Sequence, residues 1–178
     1  MKILKKILFI ISALIGLILL SGLFIPNEYT VSNSLNIRKP QTEVIDFVKL
    51  LDNQKHYSVW VMADKELNPT ITGTDGTVGA TQSWNSKMDE VGQGSQTITY
   101  MDDKCIKIDL DFKRPFESKA KAEMLFEKIS DNETTLTMKF YGVSPFPFNI
   151  MSFYMGRFFI SNAQNDNLAN LKKILESK

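Results

Sequence analysis

Residues 105–142 read CIKIDLDFKRPFESKAKAEMLFEKISDNETTLTMKFYG, and this stretch decides the fold. Apolar and polar side chains alternate within it three times, which is the pattern of a strand with one buried and one solvated face. Turn-forming residues separate the three runs at Lys113–Pro115 and Ser130–Asn132. Short connections of this kind join antiparallel neighbours. The stretch therefore predicts three antiparallel strands, over Cys105–Phe112, Ser118–Ile129 and Thr134–Gly142.

The flanking sequence extends this sheet and supplies a cover for its apolar face. Upstream, further strands are expected over Tyr29–Ile37, Thr70–Gly73, Ala80–Asn85 and Gly94–Met101. A helix is expected after Pro40, and residues 52–65 form either a short second helix or a loop. After Pro147, apolar residues recur every three or four positions to the end of the chain, which predicts one long helix. The order predicts an α+β fold in which a curved antiparallel sheet packs on a C-terminal helix.

An uncharged apolar segment precedes this domain. Ile7–Ile25 reads ILFIISALIGLILLSGLFI, and as a helix it is about 28 Å long, close to the ~30 Å hydrocarbon thickness of a bilayer. Lys2, Lys5 and Lys6 precede it, so the positive-inside rule predicts a cytoplasmic N-terminus and an extracytoplasmic domain. We expect a transmembrane anchor over residues 1–26 and one domain over residues 27–178. A cleaved secretory signal and a buried core helix are the alternatives.

Composition excludes several classes of site. The chain carries 21 basic and 20 acidic residues, so we expect no nucleic-acid partner. His56 and Cys105 are its only histidine and cysteine, which argues against a metal site or a catalytic triad, and we expect no cofactor. Glycines between residues 73 and 94 are followed by strands rather than by a helix, and therefore predict turns rather than a phosphate-binding loop.

Several short motifs resemble the START-like, or SRPBCC, superfamily, and within it the membrane-anchored bacterial polyketide cyclase-like proteins. The motifs span nearly the whole chain: PNEYTV at 26–31, Lys39-Pro40, GTDGTVGATQSW at 73–84, GQGS at 92–95, FKRPFESKA at 112–120 and PFPFN at 145–149. The resemblance implies a helix-grip fold with an apolar cavity between the sheet and the long helix. Members of the superfamily bind lipids, sterols, hormones or polyketides, and a few catalyse cyclisation or hydrolysis, so the resemblance transfers no reaction.

Aromatic residues and methionines are abundant, with twelve Phe, five Tyr, two Trp and eight Met. Such side chains suit a cavity for an apolar ligand. The expected cavity wall consists of His56, Trp60, Trp84, Tyr100, Phe112, Met124, Phe126, Tyr141 and Tyr154. Tyr100 points inward if it keeps the register of Ile98, whereas Tyr141 alternates with Phe140 and could face outward.

Three functions follow as hypotheses. The first is a membrane-anchored binding module for a small apolar or amphipathic, lipid-like or polyketide-like molecule. The second is a cyclase- or hydrolase-type enzyme that uses His56 or a buried tyrosine as its acid-base group. The third is a structural partner of another membrane protein, which would require an exposed apolar patch. The sequence identifies the bilayer as a partner through residues 7–25, but it identifies no protein partner.

Overall fold

The computed structural model describes residues 2–177, so Met1 and Lys178, the ends of the two expected segments, lie outside the described residues. The chain begins with a helix, α1 (Lys2–Gly22). Strand β1 (Glu28–Ile37) follows, and then come α2 (Gln41–Val48), a single turn at Leu51–Asn53, α3 (Gln54–Tyr57) and α4 (Val59–Ala63). Six strands follow: β2 (Thr70–Thr72), β3 (Thr81–Asn85), β4 (Gln93–Met101), β5 (Cys105–Arg114), β6 (Ser118–Ser130) and β7 (Glu133–Val143).

All seven strands form one antiparallel sheet in the order β1-β7-β6-β5-β4-β3-β2. The predicted alternation is visible in β5, where Ile106 and Ile108 are buried and Lys107 and Asp109 are exposed. Cys105 begins this strand and is buried. The register follows from the same alternation, because a slip of one residue would move every apolar side chain of a strand to water. The predicted α+β sheet is confirmed.

The C-terminal segment covers the concave face of the sheet. It begins with a helical turn, α5 (Asn149–Met151), widens to a π-helical turn at Ser152–Gly156, and continues as α6 (Arg157–Glu176). The single helix expected here is therefore interrupted by one wide turn. Leu168, Leu171 and Leu175 lie on the buried face of α6 and pack into the core. This arrangement of a curved sheet around a long terminal helix is the helix-grip fold.

Helix α1 lies outside this core. The segment Ile3–Gly22 is long and apolar enough to cross a membrane, and of its residues only Gly22 at the end is buried. The helix differs from the expected span of residues 7–25 at both ends. It already includes Lys5 and Lys6, and it ends at Gly22, so that Leu23, Phe24 and Ile25 form a turn before β1. The near absence of burial separates α1 from an ordinary core helix, which hides one face.

One side chain connects the end of α1 to the domain. Asn149 is 2% exposed, and its Nδ2 donates hydrogen bonds of 2.8 Å to the carbonyl oxygens of Gly22 and Ile25. These carbonyls lie at and just after the C-terminus of α1, where the Gly22 carbonyl has only a long 3.4 Å bond from the Ile25 N–H. Ile150 packs so closely on Gly22 that a Cβ there would lie 2.7 Å from its Cδ1.

Candidate functional site: a cavity between the sheet and α6

A cavity of about 380 Å³ lies between the concave face of the sheet, the α3–α4 segment and α6. Pockets that hold small molecules usually measure roughly 300–1,000 Å³. The sheet contributes most of the apolar wall, from inward positions of β5, β6 and β7: Ile108, Leu110, Phe112, Met124, Met138 and Phe140. Ile160 and Ala163 of α6 close the opposite side. The space is therefore the apolar cavity that the resemblance implies.

Four of the expected wall residues line this cavity: Trp60, Trp84, Phe112 and Met124. The rings of Trp84 and Phe112 pack edge to face with their centroids 6.1 Å apart. Gly94 makes room for this pair, because a Cβ there would lie 2.7 Å from Cζ2 of Trp84. Trp84 also donates a 3.2 Å hydrogen bond from Nε1 to the Val91 carbonyl, which satisfies the one polar group of its ring.

The other five expected wall residues lie elsewhere. Phe126 is buried in the core beside the cavity, and Tyr154 is exposed. Tyr100 is 46% exposed, because the β4–β5 pairing shifts between Ile98 and Tyr100 and so breaks the expected register. Tyr141 points to the outer face of the sheet. His56 is exposed and absent from the cavity lining.

Tyr141 instead belongs to a polar cluster on the outer face. Its hydroxyl donates a 2.8 Å hydrogen bond to Oε2 of Glu123. Burial, followed by this contact, raises the pKa of Tyr141 to about 12. The hydrogen bond from Tyr141, with help from Lys107, lowers the pKa of Glu123. Tyr141 and Lys107 are absent from the cavity lining, whereas Glu123 borders it.

Three buried glutamines form a polar patch on the cavity wall that the sequence analysis missed. Gln96 Nε2 donates 2.7 Å hydrogen bonds to Oε1 of both Gln54 and Gln82. Gln54 Nε2 donates back to Gln96 Oε1 at 3.3 Å, and Gln82 Nε2 donates to the Leu51 carbonyl at 2.9 Å. Gln82 and Gln96 are direct partners in the β3–β4 register. The sequence did offer one signal. Gln82 and Gln96 each occupy an inward position of a strand, where an apolar side chain is the usual choice.

Tyr57 is the most unusual polar residue of the cavity. It is 2% exposed and lines the cavity, yet its hydroxyl has no hydrogen-bond partner among residues 2–177. Burial raises the pKa of the Tyr57 phenol above its usual value, while the nearby Gln54 amide opposes this rise. The hydroxyl therefore stays protonated, and it can donate a hydrogen bond to whatever occupies the cavity. A buried polar group without a partner calls for an explanation of this kind.

Arg114 lies at the edge of the cavity and is held in place by local contacts. Its Nη2 donates to Oδ1 of Asn85 at 2.9 Å and to the Ser86 carbonyl at 2.5 Å. Its Nη1 lies 3.5 Å from Oδ1 of Asp89. These contacts engage both N–H groups of Nη2 and pair the guanidinium with one exposed carboxylate. Within the described residues, no three His, Cys, Asp or Glu side chains come together to hold a metal ion.

Comparison with known proteins supports the fold but not a particular activity. No known protein family matches the sequence, and no curated protein does. Among solved structures, the di-domain ARO/CYC StfQ from the steffimycin biosynthetic pathway matches with a TM-score of 0.67 at 8% identity, over 84% of this chain and 51% of StfQ. A Mesorhizobium loti protein matches with a TM-score of 0.62 at 12% identity, over 84% of this chain and 98% of that protein.

Norcoclaurine synthase from Thalictrum flavum, solved with dopamine and hydroxybenzaldehyde, matches with a TM-score of 0.60 at 13% identity, over 85% of this chain and 88% of the enzyme. These neighbours are START-like and Bet v1-like proteins of the SRPBCC superfamily, and this chain shares their helix-grip fold. The expected resemblance is thus confirmed at the level of the fold. At such low identity it carries no substrate or reaction.

Proposed function

We propose that this protein is a membrane-anchored binding module for a small apolar or amphipathic molecule. The observation that carries the proposal is the cavity of about 380 Å³, whose wall is mostly aliphatic, aromatic and methionine side chains with a few convergent polar groups. The neighbours support it at the level of the fold, since norcoclaurine synthase was solved with two small aromatic molecules and StfQ is an ARO/CYC protein.

The membrane part of the proposal depends on α1. We propose residues 1–26 as a single-pass anchor and residues 27–178 as the binding domain, with the N-terminus in the cytoplasm and the domain on the other side. The apolar length of Ile3–Gly22 and the lysines at its N-terminal end support this orientation. An anchored cavity would meet lipid-like molecules at the high concentration they have within a bilayer.

A cavity-filling substitution tests binding. The full chain is purified in lipid nanodiscs, extracted with organic solvent, and the apolar molecules are quantified by mass spectrometry per mole of protein. Ala163→Phe fills the cavity from α6, whereas Ala169→Phe adds the same ring at an exposed position of the same helix. We expect a stoichiometric molecule from the wild type and Ala169→Phe but not from Ala163→Phe. Equal recovery from all three proteins would contradict the proposal.

A cyclase- or hydrolase-type enzyme is the second candidate, and Tyr57 is the observation that favours it. Burial makes this phenol a weak acid, so its role would be to polarise a substrate carbonyl by donating a hydrogen bond while it stays protonated. His56 does not support this role, because it is exposed and lies outside the cavity lining. If Tyr57 acts in turnover, wild type and Tyr57→Phe purified from the same cells will carry molecules of different mass. Identical masses would favour the binding module.

A further inference from the structure

Three side chains that line the cavity carry hydrogen-bond donors without a protein partner among residues 2–177. Tyr57 contributes its hydroxyl. Gln164 lines the cavity and its Oε1 accepts from Asn33 Nδ2 at 2.8 Å, which leaves its NH₂ group available as a donor. Asn167 Oδ1 accepts from the Val59 N–H at 2.8 Å, which leaves its NH₂ group in the same situation. No partner for either NH₂ group occurs in the described part of the chain.

Two of these donors are on α6, and the third is on the α3–α4 segment that packs against it. Gln164 and Asn167 are three residues apart on α6 and therefore share a face of that helix. Asn170 Nδ2 donates a 3.1 Å hydrogen bond to the Tyr57 carbonyl, so the α3–α4 segment is held against this same face. We propose that Tyr57, Gln164 and Asn167 bind an uncharged hydrogen-bond acceptor of the ligand, such as a ketone or ester carbonyl, while its hydrocarbon part fills the rest of the cavity. This inference rests on the proposed binding function and specifies its ligand class.

The charges around the cavity argue against an anionic ligand such as a fatty acid. Arg114 and Lys139 are the only basic residues along the described wall. Arg114 already contacts Asp89, Asn85 and a carbonyl at the edge. Lys139 alternates with the inward residues Met138 and Phe140, so its side chain points to the outer face. A carboxylate in the cavity would therefore have to compete with these groups for Arg114, or stay buried without a cation, which is costly in an apolar environment.

Three ligands of the same chain length test the inference: dodecane, methyl decyl ketone and dodecanoic acid. The full chain in nanodiscs is titrated with each ligand, and binding is followed by tryptophan fluorescence. Both tryptophans of the chain, Trp60 and Trp84, line the cavity, so the signal reports on its occupancy. Wild type and Tyr57→Phe are compared at equal ligand in the same membrane, so partitioning into lipid cancels from the ratio of their affinities.

For the ketone we expect Tyr57→Phe to bind about five- to tenfold more weakly, the usual effect of one lost hydrogen bond. Dodecane should bind wild type and Tyr57→Phe with equal affinity. The wild type should bind dodecanoic acid more weakly than it binds the ketone. The variant should be at least as stable as the wild type, because the hydroxyl it loses has no partner. Equal ketone affinity in both proteins, or tighter binding of the acid, would overturn this inference. If none of the three ligands changes the fluorescence, the proposed function itself fails.

A second inference comes from an independent feature, an exposed apolar ridge at the start of the C-terminal segment. We define the ridge as Phe148, Met151, Tyr154, Met155, Phe158 and Phe159, each between 54% and 63% exposed. Residues 148, 151, 155 and 158 recur at intervals of three and four positions along this segment. Arg157 is the only charged residue between positions 144 and 165, and its guanidinium stacks on Phe153 at 4.9 Å from the ring centre. Six large apolar side chains exposed next to one another in sequence indicate an interaction site.

The position of the ridge identifies its partner. Asn149, within the ridge segment, hydrogen-bonds to the Gly22 and Ile25 carbonyls at the end of α1. If α1 crosses the bilayer, the ridge is held where the chain leaves the hydrocarbon. Aromatic side chains are favoured at this depth, as is a short apolar helix face with a basic neighbour. We infer that the ridge lies in the interface of the same membrane, so that the domain rests on lipid in a fixed orientation.

Spin labels test this orientation in the full chain. A nitroxide is attached to Phe158→Cys, or to Asn132→Cys as the control, in a Cys105→Ala background in nanodiscs. Asn132 lies in the β6–β7 turn, at the end of the sheet opposite Val143. We expect the label at 158 to be accessible to oxygen and shielded from a water-soluble nickel reagent, and the label at 132 to show the reverse. Equal access of nickel to both sites would overturn the inference. Shielding of 158 from both reagents would also overturn it, in favour of a protein partner.

Discussion

Replacing Gln96 by leucine tests the buried glutamine patch. The substitution keeps side-chain size but removes two hydrogen bonds donated to Gln54 and Gln82 and one accepted from Gln54. At about 1 kcal/mol for each bond, the loss amounts to roughly 3 kcal/mol. Water in the cavity can replace part of it, because all three glutamines line the cavity. We therefore expect the free energy of unfolding to fall by about 2 kcal/mol, and the melting temperature by about 4–8 °C.

The assay is thermal unfolding of the full chain in nanodiscs, followed by tryptophan fluorescence and circular dichroism. Gln93→Leu is the matched control, because it makes the same change in the same strand at a half-buried position outside the glutamine patch. We expect this control to melt within about 2 °C of the wild type, as surface substitutions usually do. If Gln96→Leu melts at the temperature of the control or above it, the patch contributes nothing to stability and the reasoning is refuted.

Two further predictions concern the backbone and pH. Gly79→Ala should cost about 1–2 kcal/mol, the strain of a left-handed backbone in open space. Gly92→Ala should cost more than about 3 kcal/mol, since its Cβ would also overlap the Arg114 carbonyl; equal denaturation midpoints would contradict this. The folded-state pKa of Glu123 is lowered, so its contribution to stability is complete above its unfolded pKa of about 4.3 and is lost as pH falls through the lower folded value. Between about pH 5 and pH 3, the melting temperature of Glu123→Gln should therefore fall by less than that of the wild type. If the two melting temperatures fall in parallel with pH, Glu123 does not have this role.

The buried hydroxyl of Tyr57 indicates a balance between the stability of the domain and its binding of a ligand. A buried hydroxyl without a partner, as in Tyr57, lowers the stability of the empty domain. Phenylalanine at this position would fill the same space without that cost. The retention of the hydroxyl is explained if the ligand supplies the missing acceptor, which is the trade between stability and activity commonly found at functional sites.

The sequence by itself determined the sheet and its cover. The two-residue alternation of β5, β6 and β7 predicted their bounds to within two residues, because one face must be buried and the other solvated. The apolar segment before Pro26 was visible in the same way, from composition alone. Local patterns of this kind are sufficient to predict a strand or helix and its bounds wherever that element has a single buried face.

Only the tertiary structure decided which side chains meet in the cavity. The irregular pairing after Ile98 turns Tyr100 toward solvent, and no local pattern marks such a shift. Tyr57 and Asn167 lie 110 positions apart in sequence, and the packing of α3–α4 on α6 brings both to the same cavity. The sequence therefore predicted that an apolar cavity exists, whereas the meeting of its polar side chains depends on long-range packing that periodicity cannot encode.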